Sequence, residues 1–332
     1  MTNKVSKRTG ILIFLVFAVI LGIIVVGHTN PYANQQDELT KKIIACGIIL
    51  AACALFIRFY DKFTSLPVEL FENRRLIWKL SKNDFKKRYA GSYLGFVWAL
   101  VQPVVTVFMY WFVFDTFFNQ KAQMIANGID MPYVLYLTAG LVPWFYFTES
   151  LQNGTTALLE YRYLVKQVVF KISILPIIKI IAATFVHIFF ALVMIVLAAL
   201  YGIYPSIYTI QIVYYSFCLF ILVLGLSYTT CAIVIFFRDL TQIIAILLQV
   251  GMWATPILWN ISVLSKNPTW MTIVKINPLV YIVNGYRSAL MEKTWFFEDF
   301  YSTVYFWIFT VCIFGIGALI FKRLKPHFAD VI

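Results

Sequence analysis

The stretch LFENRRLIWKLSKNDFKKRYAGSYLGFVWALVQP, residues 70–103, decides how the rest of the chain is read. Its first half is too charged to enter a bilayer and too apolar to stay away from one. On a helical wheel Leu70, Phe71, Ile77, Trp78, Leu80, Phe85 and Tyr89 share one half of the circumference, and Arg75, Lys79, Lys82, Lys86 and Lys87 crowd the other. That segregation predicts a helix over residues 65–92 lying in the membrane interface, its apolar face toward the acyl boundary and its lysines among the headgroups. Arg74 and Arg88 fall inside the apolar arc, so the segregation is incomplete. Ala90, Gly91 and Ser92 are small and turn-tolerant, placed where the chain must bend from lying flat to standing upright. A solvated basic linker would have no reason to keep Phe, Trp and Ile at helical spacing.

Composition extends the same reading to the whole chain. It is 61% hydrophobic and 13% charged, with a mean hydropathy of +0.83, whereas a soluble domain carries about 25% charged residues. The chain is therefore expected to be an all-α integral membrane protein. At about 20 residues per span, 332 residues leave room for about eight transmembrane helices with short loops. The apolar runs place them at residues 10–27, 43–60, 93–118, 132–159, 175–200, 209–237, 240–259 and 300–321. Residues 1–64 form an N-terminal accessory hairpin in this scheme, and residues 326–332 a cytoplasmic tail. Residues 260–299 hold Pro268 and Pro278 and fit no uninterrupted span, which predicts short re-entrant or interfacial helices on the outer side.

A net charge of +12 raises nucleic acid as a partner, but the positive residues are concentrated in a few loops. Twenty of the 27 Lys and Arg residues fall in segments expected at the cytoplasmic face, which puts both termini there. No nucleic-acid partner is expected.

The residues that carry chemistry are sparse. No G-x-x-x-x-G-K-[ST] loop is present, so the chain does not bind ATP in the P-loop manner by itself; H-E-x-x-H and G-x-S-x-G are also missing. The five cysteines lie in apolar runs without a C-x-x-C pair, and read as packing residues with no metal site. His187 stands mid-span and is expected as a neutral histidine bonded to a neighbouring helix. No two carboxylates stand at helical spacing within a span, which weakens a proton-relay mechanism. An enzyme is not expected, nor any catalytic residue. Aromatic residues are abundant instead. Tyr110, Trp111 and Phe114, and Trp144, Phe145 and Phe147, are denser than an interfacial belt needs. Aromatic faces stack on sugar rings, so these residues are candidates to line a polysaccharide channel; lipid contact and helix packing account for them equally well.

These pieces resemble the type-2 ABC exporter permeases that move polysaccharides, the O-antigen, capsule and teichoic-acid exporters. FKKRYAGSYLGFVWALVQP, residues 85–103, looks like the family's entry segment, and ALLEYRYLVKQVVFKISILPI, residues 157–177, like the segment after its second core span. FFRDL (236–240), NPLVYIVNGYRSALM (277–291) and the terminal KRLKPHFADVI are similar to its later elements in unbroken order. The N-terminal hairpin is a departure from the minimal six-span permease, which the resemblance places at residues 93–325. The resemblance implies a homodimer working with two copies of a separate ABC ATPase, which would hold ATP and Mg; this chain would bind no cofactor. It implies an ATPase-coupling segment at Glu160, Tyr161, Arg162, Tyr163, Leu164, Val165, Lys166 and Lys171. It also implies a glycan on undecaprenyl pyrophosphate or a similar lipid, whose headgroup would enter at Lys86, Lys87, Arg88 and Tyr89, residues that membrane lipids would also attract. The expected setting is the bacterial cytoplasmic (inner) membrane. A permease for drugs or small lipids shares this architecture; a membrane glycosyl- or acyltransferase would need an acid/base or metal cluster at the interface.

Overall fold

A computed structural model describes residues 7–27, 35–58, 60–89, 93, 95, 97–117, 123–124, 130–166 and 171–331. The chain divides into two compact units, Met1–Phe71 and Glu72–Ile332.

In the first unit α1 (Lys7–Gly27) pairs with α2 (Gln35–Arg58), with Phe14 stacked on Phe56 at 3.9 Å between ring centroids. The first turns of α2 hold Gln, Asp, Glu and Lys, so only Ala45–Arg58 forms an apolar helix. Tyr60 opens α3 (Tyr60–Glu72) and packs its ring edge-on against Phe56, while Lys7 donates to Asp61 at 2.7 Å.

The interfacial segment expected as one helix over 65–92 is two. α3 ends at Glu72, and α4 (Arg74–Tyr89) starts after Asn73, whose carbonyl accepts from Ile77 at 2.9 Å. Asparagine hydrogen-bonds readily to nearby backbone and favours helix ends over interiors. The bend expected at residues 90–92 lies outside the described residues.

The second unit continues with α5 (Val97–Trp111), which runs into a π-helical turn, Phe112–Phe117, and then a two-residue antiparallel ladder pairing Gln123 with Met131. There follow α6 (Tyr133–Glu160), the single turn α7 (Arg162–Val165), α8 (Leu175–Leu200), α9 (Gln211–Val234) and α10 (Leu240–Ala254). The short α11 (Pro268–Ile276) and α12 (Pro278–Arg287) precede α13 (Phe300–Leu324) and α14 (Phe328–Val331).

Local chemistry sets several of these limits. Just past the end of α8 stands Gly202, with φ +83°; the amides of Gly202 and Ile203 reach back to the carbonyls of Ala199 and Ala198, the left-handed cap that glycine permits. Pro278 occupies the first position of α12, where its missing N–H is no loss, and Asn277 caps that helix by accepting from Leu279 at 3.0 Å. α9 and α13 cross through glycines. A Cβ on Gly225 would lie 2.8 Å from Phe314 Cα, and one on Gly317 would lie 2.4 Å from the Gly225 carbonyl, so the two backbones touch as small-residue membrane interfaces allow.

Among the described residues, five helical segments are long and apolar enough to cross a membrane: Lys7–Gly27, Val97–Phe114, Ile172–Leu200, Ile207–Val234 and Phe300–His327. Of the eight spans expected from sequence, residues 43–60 and 240–259 shorten to the apolar helices Ala45–Arg58 and Leu240–Ala254. The remaining one becomes α6, 28 residues long but not apolar enough to be among the five. The reason is its position: α6 is the hub against which α5, α8, α9, α10 and α12 pack, and 20 of its residues are buried. A helix jacketed by protein can carry polar groups if they are bonded. Thr138 donates to the Val134 carbonyl and Thr155 to the Leu151 carbonyl, and Thr155 also meets Thr230 of α9 at 2.7 Å.

Candidate functional site

The two ends of α6 carry different chemistry. Near its C-terminal end a cleft of about 870 Å³ opens between α4, α5 and α6. Lys87, Arg88 and Lys179 line it with Asp84, Glu149 and Glu160, and the remaining wall combines Trp98, Ala99, Pro103, Phe145, Tyr161 and Tyr163 with Thr106, Thr148, Gln152 and Asn153.

Most of the charge is already committed. Lys179, in the first turn of α8, places its ammonium 2.7 Å from Asp84 of α4 and 2.6 Å from Glu160 at the end of α6. Lys179 and Asp84 are buried, while Glu160 is about half exposed and takes a second bond from Thr156 at 2.7 Å. Tyr161 donates to the same Asp84 oxygen at 2.5 Å, and the Lys179 ammonium lies 5.0 Å from the centre of its ring. Burial, and after it the bond to the Asp84 carboxylate, push the Tyr161 phenol well up from its ordinary value, so it stays a donor. Arg88 pairs with Glu149 of α6 and sits 4.0 Å from the other Asp84 oxygen.

The residues expected to meet a lipid headgroup therefore split. Lys86 is exposed and Lys87 is exposed on the cleft, with no carboxylate partner for Lys87 among the described residues, whereas Arg88 is turned inward onto carboxylates. Its place inside the apolar arc has this physical basis, since acidic side chains of the bundle meet it there. The side chain of Tyr89 lies outside those described.

The segment expected to couple to an ATPase splits likewise. Arg162, Tyr163 and Lys166 are exposed and Leu164 is half-buried; Val165 is in the core and Tyr161 is turned onto Asp84. Lys171 is exposed and 3.8 Å from Glu72. Of the apolar and aromatic residues in that segment, Tyr163 and part of Leu164 face outward.

Of the candidate channel aromatics only Phe145 lines the cleft. Trp144 and Phe147 are buried with their rings 5.7 Å apart, and Trp144 fills the space over Gly251. Tyr110 and Phe114 pack on each other at 6.4 Å, Phe114 also meets Tyr133, and Trp111 is half-buried. These contacts are those of helix packing.

Midway along the bundle, His187 of α8 is 3.0 Å from Ser216 of α9 and 2.9 Å from Tyr286 of α12, and stacks on Tyr146 of α6. It is bonded to its neighbours, as its mid-span position predicts. At the N-terminal end of α6, Arg287 is buried with its guanidinium 3.5 Å from the centre of the Tyr136 ring. It donates to the carbonyls of Ile257 (3.0 Å) and Tyr136 (3.4 Å).

Sequence reasoning missed Asp84, Lys179 and Arg287 as site residues. Lys179 stands 95 residues from Asp84, and no periodicity records such a pairing. The available signals were the i, i+4 spacing of Asp84 and Arg88 and a lysine in the first turn of an otherwise apolar helix.

Residues 75–291 match the model of the ABC-2 type transporter family. The chain is similar to the O-antigen export system permease protein RfbA of Myxococcus xanthus, 26% identical over 264 residues that cover 80% of this chain and 98% of that protein. A protein of the same name from Klebsiella pneumoniae is 26% identical over 257 residues, covering 76% of this chain and 93% of the relative. The matched span takes in α4 with its cleft, the hub α6, the single turn α7 and the α11–α12 pair. With its several membrane-length apolar helices, the chain belongs to the ABC-2 type transporter family of membrane permeases.

Proposed function

We propose that the chain is the membrane subunit of an ATP-driven exporter that moves a lipid-linked polysaccharide across the cytoplasmic membrane. It works as a homodimer with two copies of a separate ABC ATPase, which supplies ATP binding and hydrolysis. Eight segments cross the bilayer, α11 and α12 form a re-entrant pair at the outer face, and α4 lies in the inner interface. Both termini and the C-terminal end of α6 face the cytoplasm.

The observation that carries this reading is the adjacency of the cleft to the exposed turn α7. An ATPase seated on Arg162, Tyr163 and Lys166 borders the cleft directly, since Tyr161 and Tyr163 both line it. The cleft lining suits the junction of a glycan and its phosphate carrier. Trp98 and Phe145 offer faces for sugar rings, Gln152, Asn153, Thr106 and Thr148 offer hydrogen bonds, and Lys87 offers a positive charge.

Cells lacking the chain should lose surface glycan and accumulate lipid-linked glycan that is labelled only after permeabilisation. Surface glycan at its normal level would overturn the reading. Arg162→Glu combined with Lys166→Glu should abolish export while the homodimer still assembles; unchanged export would remove the coupling assignment.

A further inference from the structure

We infer that the Asp84–Lys179 pair is a positioning junction that makes α4 move with the segment leading into α7. This rests on the coupling assignment proposed above. One ammonium joins three elements: α8, which bears it, α4 through Asp84, and the end of α6 through Glu160. Tyr161, the residue before α7, closes the triangle by bonding the same Asp84 oxygen. The Asp84–Lys179 contact is short and buried, so displacement of Glu160 and Tyr161 must carry Asp84 with it or break a bond in a poorly solvated place. Asp84 lies on the same helix as Lys87 and Arg88, which line the cleft. The path from the docking turn to the cleft wall is therefore one hydrogen bond long through Tyr161 and two through Glu160 and Lys179.

Folding alone gives little reason for this arrangement. Replacing both members of a buried ion pair with neutral groups of similar size is often close to neutral for stability, whereas removing one member leaves an uncompensated charge. A pair kept for folding would be dispensable as a pair; a pair kept for transmission would not.

That difference is the test. The chain in complex with its ATPase, in lipid nanodiscs, is followed by hydrogen–deuterium exchange without nucleotide and after trapping with ATP and vanadate. In the wild type, residues 160–166 and residues 74–89 should both change exchange on trapping. In the Asp84→Asn, Lys179→Met double variant the complex should remain assembled and the change at 160–166 should persist. The change at 74–89 should fall by at least half, and ATP consumed per glycan exported should rise by about tenfold, within the range of typical coupling effects. A response at 74–89 equal to the wild type, with unaltered ATP per glycan, would overturn the junction. No change at 160–166 in the wild type would overturn the coupling assignment and the junction together. Tyr161→Phe removes one bond to Asp84 with little risk to folding. It should roughly halve the response at 74–89, and a full response there would also contradict the proposal.

Discussion

Each end of α6 holds a buried cation, and the two are neutralised in different ways. At the C-terminal end Lys179 is met by the side chains of Asp84 and Glu160, beside an open cleft. At the N-terminal end Arg287 is met by the ring of Tyr136 and by backbone carbonyls of Tyr136 and Ile257. Carboxylates carried on side chains let the helices that bear them shift together while the ion pairs stay intact. Carbonyls are fixed by the helix and turn that carry them, so a guanidinium bound to them holds its neighbours in one arrangement. The contrast assigns the adjustable end of the hub to the side where α7 is exposed, and the static end to α12 and the Thr255–Trp259 turn. Neighbouring bonds brace the static end: Tyr133 and Tyr136 donate to the carbonyls of Leu258 and Trp259, and Asn277 donates to Thr255 at 2.9 Å.

Substitutions at the two ends should separate in size and in whether they can be rescued. Arg287→Leu removes a cation–π contact and two charge-assisted bonds, and should lower stability by on the order of 3 kcal/mol or more. Thermal unfolding in detergent measures this, and no single second substitution should restore most of it, because both hydrogen-bond acceptors of Arg287 are backbone carbonyls. Lys179→Met leaves Asp84 buried without its cation and should cost about 3 kcal/mol. Here, adding Asp84→Asn should recover most of the loss; failure to recover would erase the distinction between the two ends. Gly140→Ala places a Cβ 3.1 Å from both Arg287 Nη2 and Ile257 Cγ2, overpacking the static end, with an expected cost of about 1–3 kcal/mol in the same unfolding assay. The smallest effect on folding is expected for Lys87→Ala, within about 0.5 kcal/mol for a surface side chain. The same change should weaken capture of a pyrophosphate-linked glycan roughly fivefold, since one lysine near an anionic surface is worth about 1 kcal/mol. Flotation with vesicles carrying that lipid reads the capture directly.

Much of this architecture is legible in the sequence, for a definite physical reason. The apolar runs of α1, α8, α9 and α13 are long enough to announce membrane-length helices by themselves, and Pro268, Pro278 and Asn277 mark the interruption between α10 and α13. α6 is harder to read because its surroundings are protein. Thr138, Ser150, Thr155 and Glu149 lower its apolarity, and only its neighbours explain why they are tolerated. The site is legible in outline alone. Lys87 and the exposed residues of α7 follow from charge clustering, but the inward turn of Arg88 and the burial of Val165 depend on what packs against them. Arg88 did carry a warning, as a cation on the apolar side of a helix implies a carboxylate waiting there. Asp84 and Lys179 belong to helices far apart in the chain, and each looks like an ordinary surface charge until the fold brings them together.

The most direct measurement places the purified chain and its partner ATPase in proteoliposomes containing a short glycan on undecaprenyl pyrophosphate. Glycan reaching the opposite leaflet is then counted by its susceptibility to an added glycosidase. Glycan movement should require ATP, require both proteins, and fall to background with Arg162→Glu and Lys166→Glu. Movement of a small lipid or drug under the same conditions, with the glycan left in place, would contradict the proposed function.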